Sequence, residues 1–130
     1  MTTAAPFLMF EGKAEEALTF YCKTIPESRV VDVDRYGAGE AGPEGSIKLA
    51  RAEIAGLEVM FSDSHVKHAF TFTPSVSLFV TCTSETEQSR IVQELGEGGK
   101  MLMPLDNYGF SRRFAWLNDR FGVSWQINLP

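Results

Sequence analysis

Reactive residue types fall close together at only a few places in this 130-residue chain. The densest is DSHVKHAFTFTP, Asp63 to Pro74, which holds both histidines, His65 and His68, beside Asp63 and Lys67. Histidine both moves protons near neutrality and ligates divalent metals. The pair therefore reads as a metal pair or as an acid–base group at the mouth of a pocket. The alternative is a pair of loop histidines that bond their own backbone. A second place is the C-terminal segment. Strand alternation puts Val123, Trp125 and Ile127 on one side and Ser124, Gln126 and Asn128 on the other. The apolar set suits packing beneath a helix, so the polar set is expected to face a cavity. In the segment before it, Tyr108, Phe110, Arg112, Phe114 and Trp116 share one face, and Ser111, Arg113, Ala115 and Leu117 the other. Arg113, if turned to a cavity, would grip a carboxylate or phosphate with its planar fork. The alternative is a surface arginine paired with one of the acids.

Other chemistries find less purchase. The glycine-rich stretch GAGEAGPEG, Gly37 to Gly45, follows a strand but leads into another strand, so it lacks the strand–turn–helix setting that cradles phosphates. Cys22 sits on an apolar helix face and Cys82 at the end of an apolar strand. Neither has a neighbour that would activate a thiol, and with no secretory signal both read as reduced packing residues of a cytoplasmic protein. Twelve basic against seventeen acidic residues leave a net charge of -5, which argues against nucleic acid as a partner. No apolar run reaches the ~20 residues of a membrane-spanning helix, so no membrane partner is expected.

The elements that must position these residues repeat. Pro6 to Phe10 reads as a short buried strand, Glu11-Gly12 as a turn, and Lys13 to Ile25 as an amphipathic helix stopped by Pro26. Its apolar face is Ala14, Ala17, Leu18, Tyr21, Cys22 and Ile25, while Glu15 and Glu16 are solvated. Ser28 to Tyr36 reads as a strand, and Ser46 to Ile54 with Leu57 to Ser62 as a hairpin around Ala55-Gly56. After the connector of residues 63–74, the plan recurs. Ser75 to Cys82 is a strand, and Ser84 with Glu87 forms a capping box for a helix running to about Leu95. Strands follow at Lys100 to Pro104, Tyr108 to Leu117 and Val123 to Leu129. The phenylalanines at 70, 72 and 79 read as core or dimer interface. The expected architecture is α+β: one domain over 1–130, built of two βαβββ modules (about 6–62 and 75–130) whose curved mixed sheets enclose a cavity.

Three stretches, FEGKAEEALTFY, DSHVKHAFTFTP and RFGVSWQINLP, together resemble the PhnB-like branch of the vicinal oxygen chelate superfamily. That superfamily includes glyoxalase I, bleomycin-resistance proteins and dihydroxybiphenyl dioxygenases. The branch is labelled 3-demethylubiquinone-9 3-methyltransferase. The resemblance spans nearly the whole chain and implies paired βαβββ modules and a homodimer. It also implies a divalent metal held by four side chains, on the first and last strands of each module. Those positions fall here at Pro6 or Phe7, at Phe61 to Asp63, at Ser75 and at Gln126. Only Asp63 and Gln126 have metal-ligand chemistry, and one carboxylate with one amide holds a hard cation weakly. No cofactor is therefore expected.

The leading expectation is a protein that binds a small molecule in the cavity between its sheets, with a degenerate metal site. Gln126, Ser75, Arg113, His65 and His68 are its candidate contacts. The alternative is a lyase, isomerase or dioxygenase with a non-standard ligand set. A true methyltransferase ranks last, because no glycine-rich strand–helix turn offers a nucleotide crevice. Whether any reaction is catalysed is left open.

Overall fold

The computed structural model describes residues 1–130, which divide into two units, Met1–His68 and Ala69–Pro130. Unit 1 runs β1 (Phe7–Phe10), α1 (Ala14–Thr24), β2 (Arg29–Arg35), β3 (Ile47–Ile54) and β4 (Leu57–Asp63). Its sheet has the order β1-β4-β3-β2, with β1 parallel to β4 and the other pairs antiparallel. Unit 2 runs β5 (Ser77–Thr81), α2 (Glu85–Gly96), β6 (Lys100–Asp106), β7 (Arg113–Asn118) and β8 (Ser124–Leu129). Its order is β5-β8-β7-β6, again with the first strand parallel to the last. The repeat read from the sequence is thus a repeat of topology. The fold is α+β, with two open, mixed, four-stranded sheets.

In unit 1 the apolar stripe of α1 lies on the sheet. Ala14, Ala17, Leu18 and Tyr21 are buried, and the Tyr21 ring meets Phe61, on which Phe10 stacks, each pair at 6.0 Å. Burying side chains of this size contributes about 1.5–3 kcal/mol each. The β1 strand departs from the expectation of full burial, since Phe10 is buried but Phe7 is 52% exposed. As an edge strand it turns Phe7 and Met9 to the side away from α1. The β3–β4 hairpin turns on Ala55 and Gly56, both at positive φ (49° and 86°). That is the backbone a two-residue loop requires, and Ser28 Oγ accepts the Ala55 N–H at 3.0 Å.

In unit 2 Ser84 caps α2 as expected, and the return bond of Glu87 lands one residue before the cap. Ser84 Oγ accepts the Glu87 N–H at 3.1 Å, and Glu87 Oε1 accepts the Thr83 N–H at 3.1 Å. Ile91, Val92 and Leu95 of α2 are buried over a sheet face of Ala115, Leu117, Trp125 and Ile127. Three strand boundaries differ from expectation by more than one residue, the first being β5, which starts at Ser77 rather than Ser75. β6 extends to Asp106, and β7 starts at Arg113 rather than Tyr108. Asp106-Asn107-Tyr108-Gly109 is turn chemistry: Asp106 Oδ1 accepts the Asn107 N–H and Asn107 Oδ1 accepts the Gly109 N–H, both at 2.8 Å. Gly109 takes φ +99°, which a side chain would resist. The resulting bend carries Tyr108 and Phe110 over Phe114.

Candidate functional site

The alternation of β7 and β8 separates two faces of the second sheet. One is covered by α2. The other, free of α2, carries Phe114, Trp116 and Asn118 of β7 and Ser124, Gln126 and Asn128 of β8, joined by Ser77, Phe79 and Thr81 of β5 through the register. At its centre, Trp116 Nε1 donates to Ser124 Oγ at 2.9 Å, and Ser124 Oγ lies 2.7 Å from Ser77 Oγ. Gln126 Nε2 donates to Ser77 Oγ at 3.3 Å. Aromatic rings border this polar row. Phe110 meets Phe114 edge-on at 4.9 Å, and Tyr108 and Phe79 lie 6.2 and 6.5 Å from Phe114. Phe79 and Phe110 are 56% and 62% exposed. The side-chain oxygens of Asn118 and Asn128 are buried and receive no hydrogen bond, an uncommon state for buried acceptors. The matching face of the first sheet is different in kind. Part of it is a ladder of exposed ion pairs, Arg29 with Glu53 and Arg51 with Asp32 and Glu58, and the rest carries Phe7, Met9, Leu49 and Met60. The Arg51 guanidinium holds the Asp32 carboxyl below its ordinary value.

The structure places the candidate residues unevenly. Gln126 lies in the polar row, and the polar set of the last strand faces away from the helix as expected. Ser75 does not join it. It precedes β5, is exposed, and its hydroxyl lies 2.7 Å from that of Thr73. Ser77 holds the place instead. Arg113 needs correction as a cavity residue, because β7 turns it to the α2 side. There its guanidinium donates to Gln88 Oε1, Ser89 Oγ and the Glu85 carbonyl. Gln88 is fully buried and donates in turn to the carbonyls of Arg113 and Ile127. Arg113 therefore pins α2 to the sheet. The phenylalanines at 70 and 79 are exposed rather than core.

The histidines belong to unit 1. His65 lines a recess of about 240 Å³ with Glu11, Ser46, Ser64 and Lys67, and its ring meets Tyr36 edge-on at 6.3 Å. His68 Nε2 lies 2.9 Å from Ser64 Oγ, and its backbone N–H points to Glu11 at 3.4 Å. Sequence reading missed Ser77, Trp116 and Asn118 as members of the unit 2 face. The position of Ser77, two residues before Phe79, was the available signal.

The superfamily's metal does not fit the residues present. Asp63 ends β4 instead of opening the connector, and it is 3% exposed. Its Oδ1 accepts the N–H groups of Gly12 and Ala14 at 2.8 and 2.9 Å, and its Oδ2 that of Ile47 at 3.2 Å. Lys13, at the N-cap of α1, makes no side-chain cap. Asp63 does that work from the neighbouring strand, which leaves its carboxylate committed to backbone. Gln126 remains with hydroxyl and indole neighbours. No group of three or more His, Cys, Asp or Glu side chains is arranged to hold a metal ion. The thiols add nothing, since burial pushes Cys82 up to about 11 and raises Cys22 as well. No helix is long and apolar enough to cross a membrane.

Comparison with known proteins agrees with this fold. A PhnB protein from Bacillus cereus, described as a 3-demethylubiquinone-9 3-methyltransferase, is 46% identical, with a TM-score of 0.95 over 99% of this chain and all of that one. Protein YjdN of Escherichia coli K12 is 25% identical over 96% of this chain and 93% of its own length. A glyoxylase/bleomycin resistance protein/dioxygenase domain from Frankia is 12% identical, with a TM-score of 0.66 over 99% and 97% of the two chains, a likeness of fold. The family described as 3-demethylubiquinone-9 3-methyltransferase matches residues 2–128. The chain belongs to that family and is PhnB-like, with the fold of the glyoxylase/bleomycin resistance/dioxygenase domain.

Proposed function

We propose that this protein binds a small molecule against the α2-free face of its second sheet, and that it does so without a resident metal. The observation that carries the reading is the composition of that face: a hydroxyl–amide–indole row set among aromatic rings that stay exposed. Binding sites of this kind combine apolar walls with a few placed polar groups. A metal-dependent reaction has less support, because the ligand positions that the resemblance implies hold Pro6 or Phe7, a backbone-committed Asp63, Ser75 and Gln126. Methyl transfer, which the family description names, has less again. Residues 37–45 join two antiparallel strands and open no helix.

Protein purified without a tag and then treated with chelator tests this. Metal analysis is expected to find no stoichiometric ion, and ligand-observed NMR against a library of small aromatic fragments should give the same hits before and after chelation. One tightly held ion per chain, or hits that vanish with chelator, would sink the reading.

A further inference from the structure

Resting on the reading that this face binds a ligand, the proton order of its polar row limits what the ligand's polar group is. Indole nitrogen only donates, so Trp116 gives its hydrogen to Ser124 Oγ. The Ser124–Ser77 contact at 2.7 Å can run in either direction. If Ser77 donated, Ser124 would accept twice, and its own hydrogen would be left without an acceptor at a residue only 1% exposed. If Ser124 donates, the unused hydrogen sits on Ser77, which is half-buried. The second order keeps the buried group satisfied. Ser77 Oγ then accepts from both Ser124 and Gln126, and its own O–H is free to point outward. Gln126 gives one of its two amide hydrogens to Ser77, which leaves Oε1 as an acceptor and the second N–H as a donor. The two strands thus present the Ser77 O–H and a Gln126 N–H as donors and the Gln126 C=O as acceptor side by side, next to the Phe79 ring, which is in register with Gln126. The charged side chains on this face stand on β6, where Lys100 is opposite Asn118 and Asp106 opposite Phe114.

We propose that the Ser77–Gln126 pair takes a neutral carboxamide-type group on a flat apolar body. Such a group offers its carbonyl to the Ser77 hydroxyl and its N–H to Gln126 Oε1. A carboxylate could accept from the Ser77 O–H and the Gln126 N–H, but it would leave Oε1 without a donor, and Lys100 stands two strands away on β6 rather than beside the pair. A divalent cation would find one amide oxygen and one hydroxyl.

Benzamide and benzoate, matched in shape, test the proposal, with binding followed at the Trp116 indole N–H by NMR. Benzamide should bind about tenfold tighter than benzoate, a difference of one lost hydrogen bond and one unpaired charge. Ser77→Ala and Gln126→Leu should each erase most of that preference in protein whose spectrum is otherwise native. Manganese(II) at one equivalent should leave the Trp116 signal sharp. Benzoate binding equally well or better, or manganese broadening that signal, would overturn the neutral-group proposal while the face remained a binding face. Neither probe reaching Trp116 would overturn both the proposal and the reading it rests on.

Discussion

Replacing Asp63 with alanine should lower the unfolding free energy by about 3–5 kcal/mol, because three backbone N–H groups lose their acceptor at a largely buried site. The loss falls on three elements at once. Gly12 and Ala14 open α1, Ile47 opens β3, and Asp63 itself closes β4. An anionic oxygen at a helix N-terminus also meets the positive end of the helix dipole. Asparagine should recover part of the loss. Its one oxygen can still serve Gly12 and Ala14, but its amide nitrogen would face the Ile47 N–H, donor against donor. Urea denaturation of the wild type and both variants measures this. An alanine variant within about 1 kcal/mol of wild type would remove Asp63 from its role as the cap.

Unit 2 has a comparable anchor in Asp119, and its loss should cost about 3–4 kcal/mol. Asp119 Oδ1 accepts the N–H groups of Phe121 and Val123 at 2.8 and 3.1 Å, and Oδ2 accepts Trp125 Nε1 at 2.9 Å. Trp125 is wholly buried under α2. The carboxylate thus shapes the turn into β8 and fixes the tryptophan that sets which residues of β8 face the helix. Ser124 and Gln126, on the opposite face, depend on that setting. Asp119→Ala should therefore shift the melting temperature down and move the Trp125 indole resonance. Asp119→Asn should do the same more weakly, with its nitrogen opposed to the Trp125 N–H. A full-strength fold with an unmoved Trp125 signal would show that the turn is held by other contacts.

Much of the fold was legible because its causes are local. The 3.6-residue spacing from Ala14 to Ile25, the Ser84–Glu87 capping box and the Ala55-Gly56 turn each mark an element by short-range chemistry. Their repetition after residue 75 implied one topology used twice, and the two strand orders match it. Boundaries were lost where turn chemistry hid inside an apolar run. The segment from Tyr108 to Arg112 looks like strand by alternation, yet Asp106, Asn107 and Gly109 break it.

The candidate site was harder to read, because it depends on pairing across strands. Alternation alone separated Ser124, Gln126 and Asn128 from Trp125 and Ile127. It could not choose the face for Arg113, since that choice rests on Gln88 and Ser89 of a helix some 25 residues earlier. Asp63 likewise had the residue type of a metal ligand. What commits it is the approach of Gly12 and Ile47, contacts invisible to spacing. Ser77 rather than Ser75 joins the row because β5 begins two residues later than the sequence suggested.

The chain's two tryptophans give the most direct test of the central claim. Trp116 donates to Ser124 on the α2-free face of the second sheet, and Trp125 donates to Asp119 on the helix-covered face of the same sheet. A titration with a fragment that binds should be followed at both indole N–H signals in a proton–nitrogen correlation spectrum. A ligand on the proposed face shifts Trp116 and leaves Trp125 in place. Binding that moves Trp125 alone, or that moves neither indole, would contradict the account.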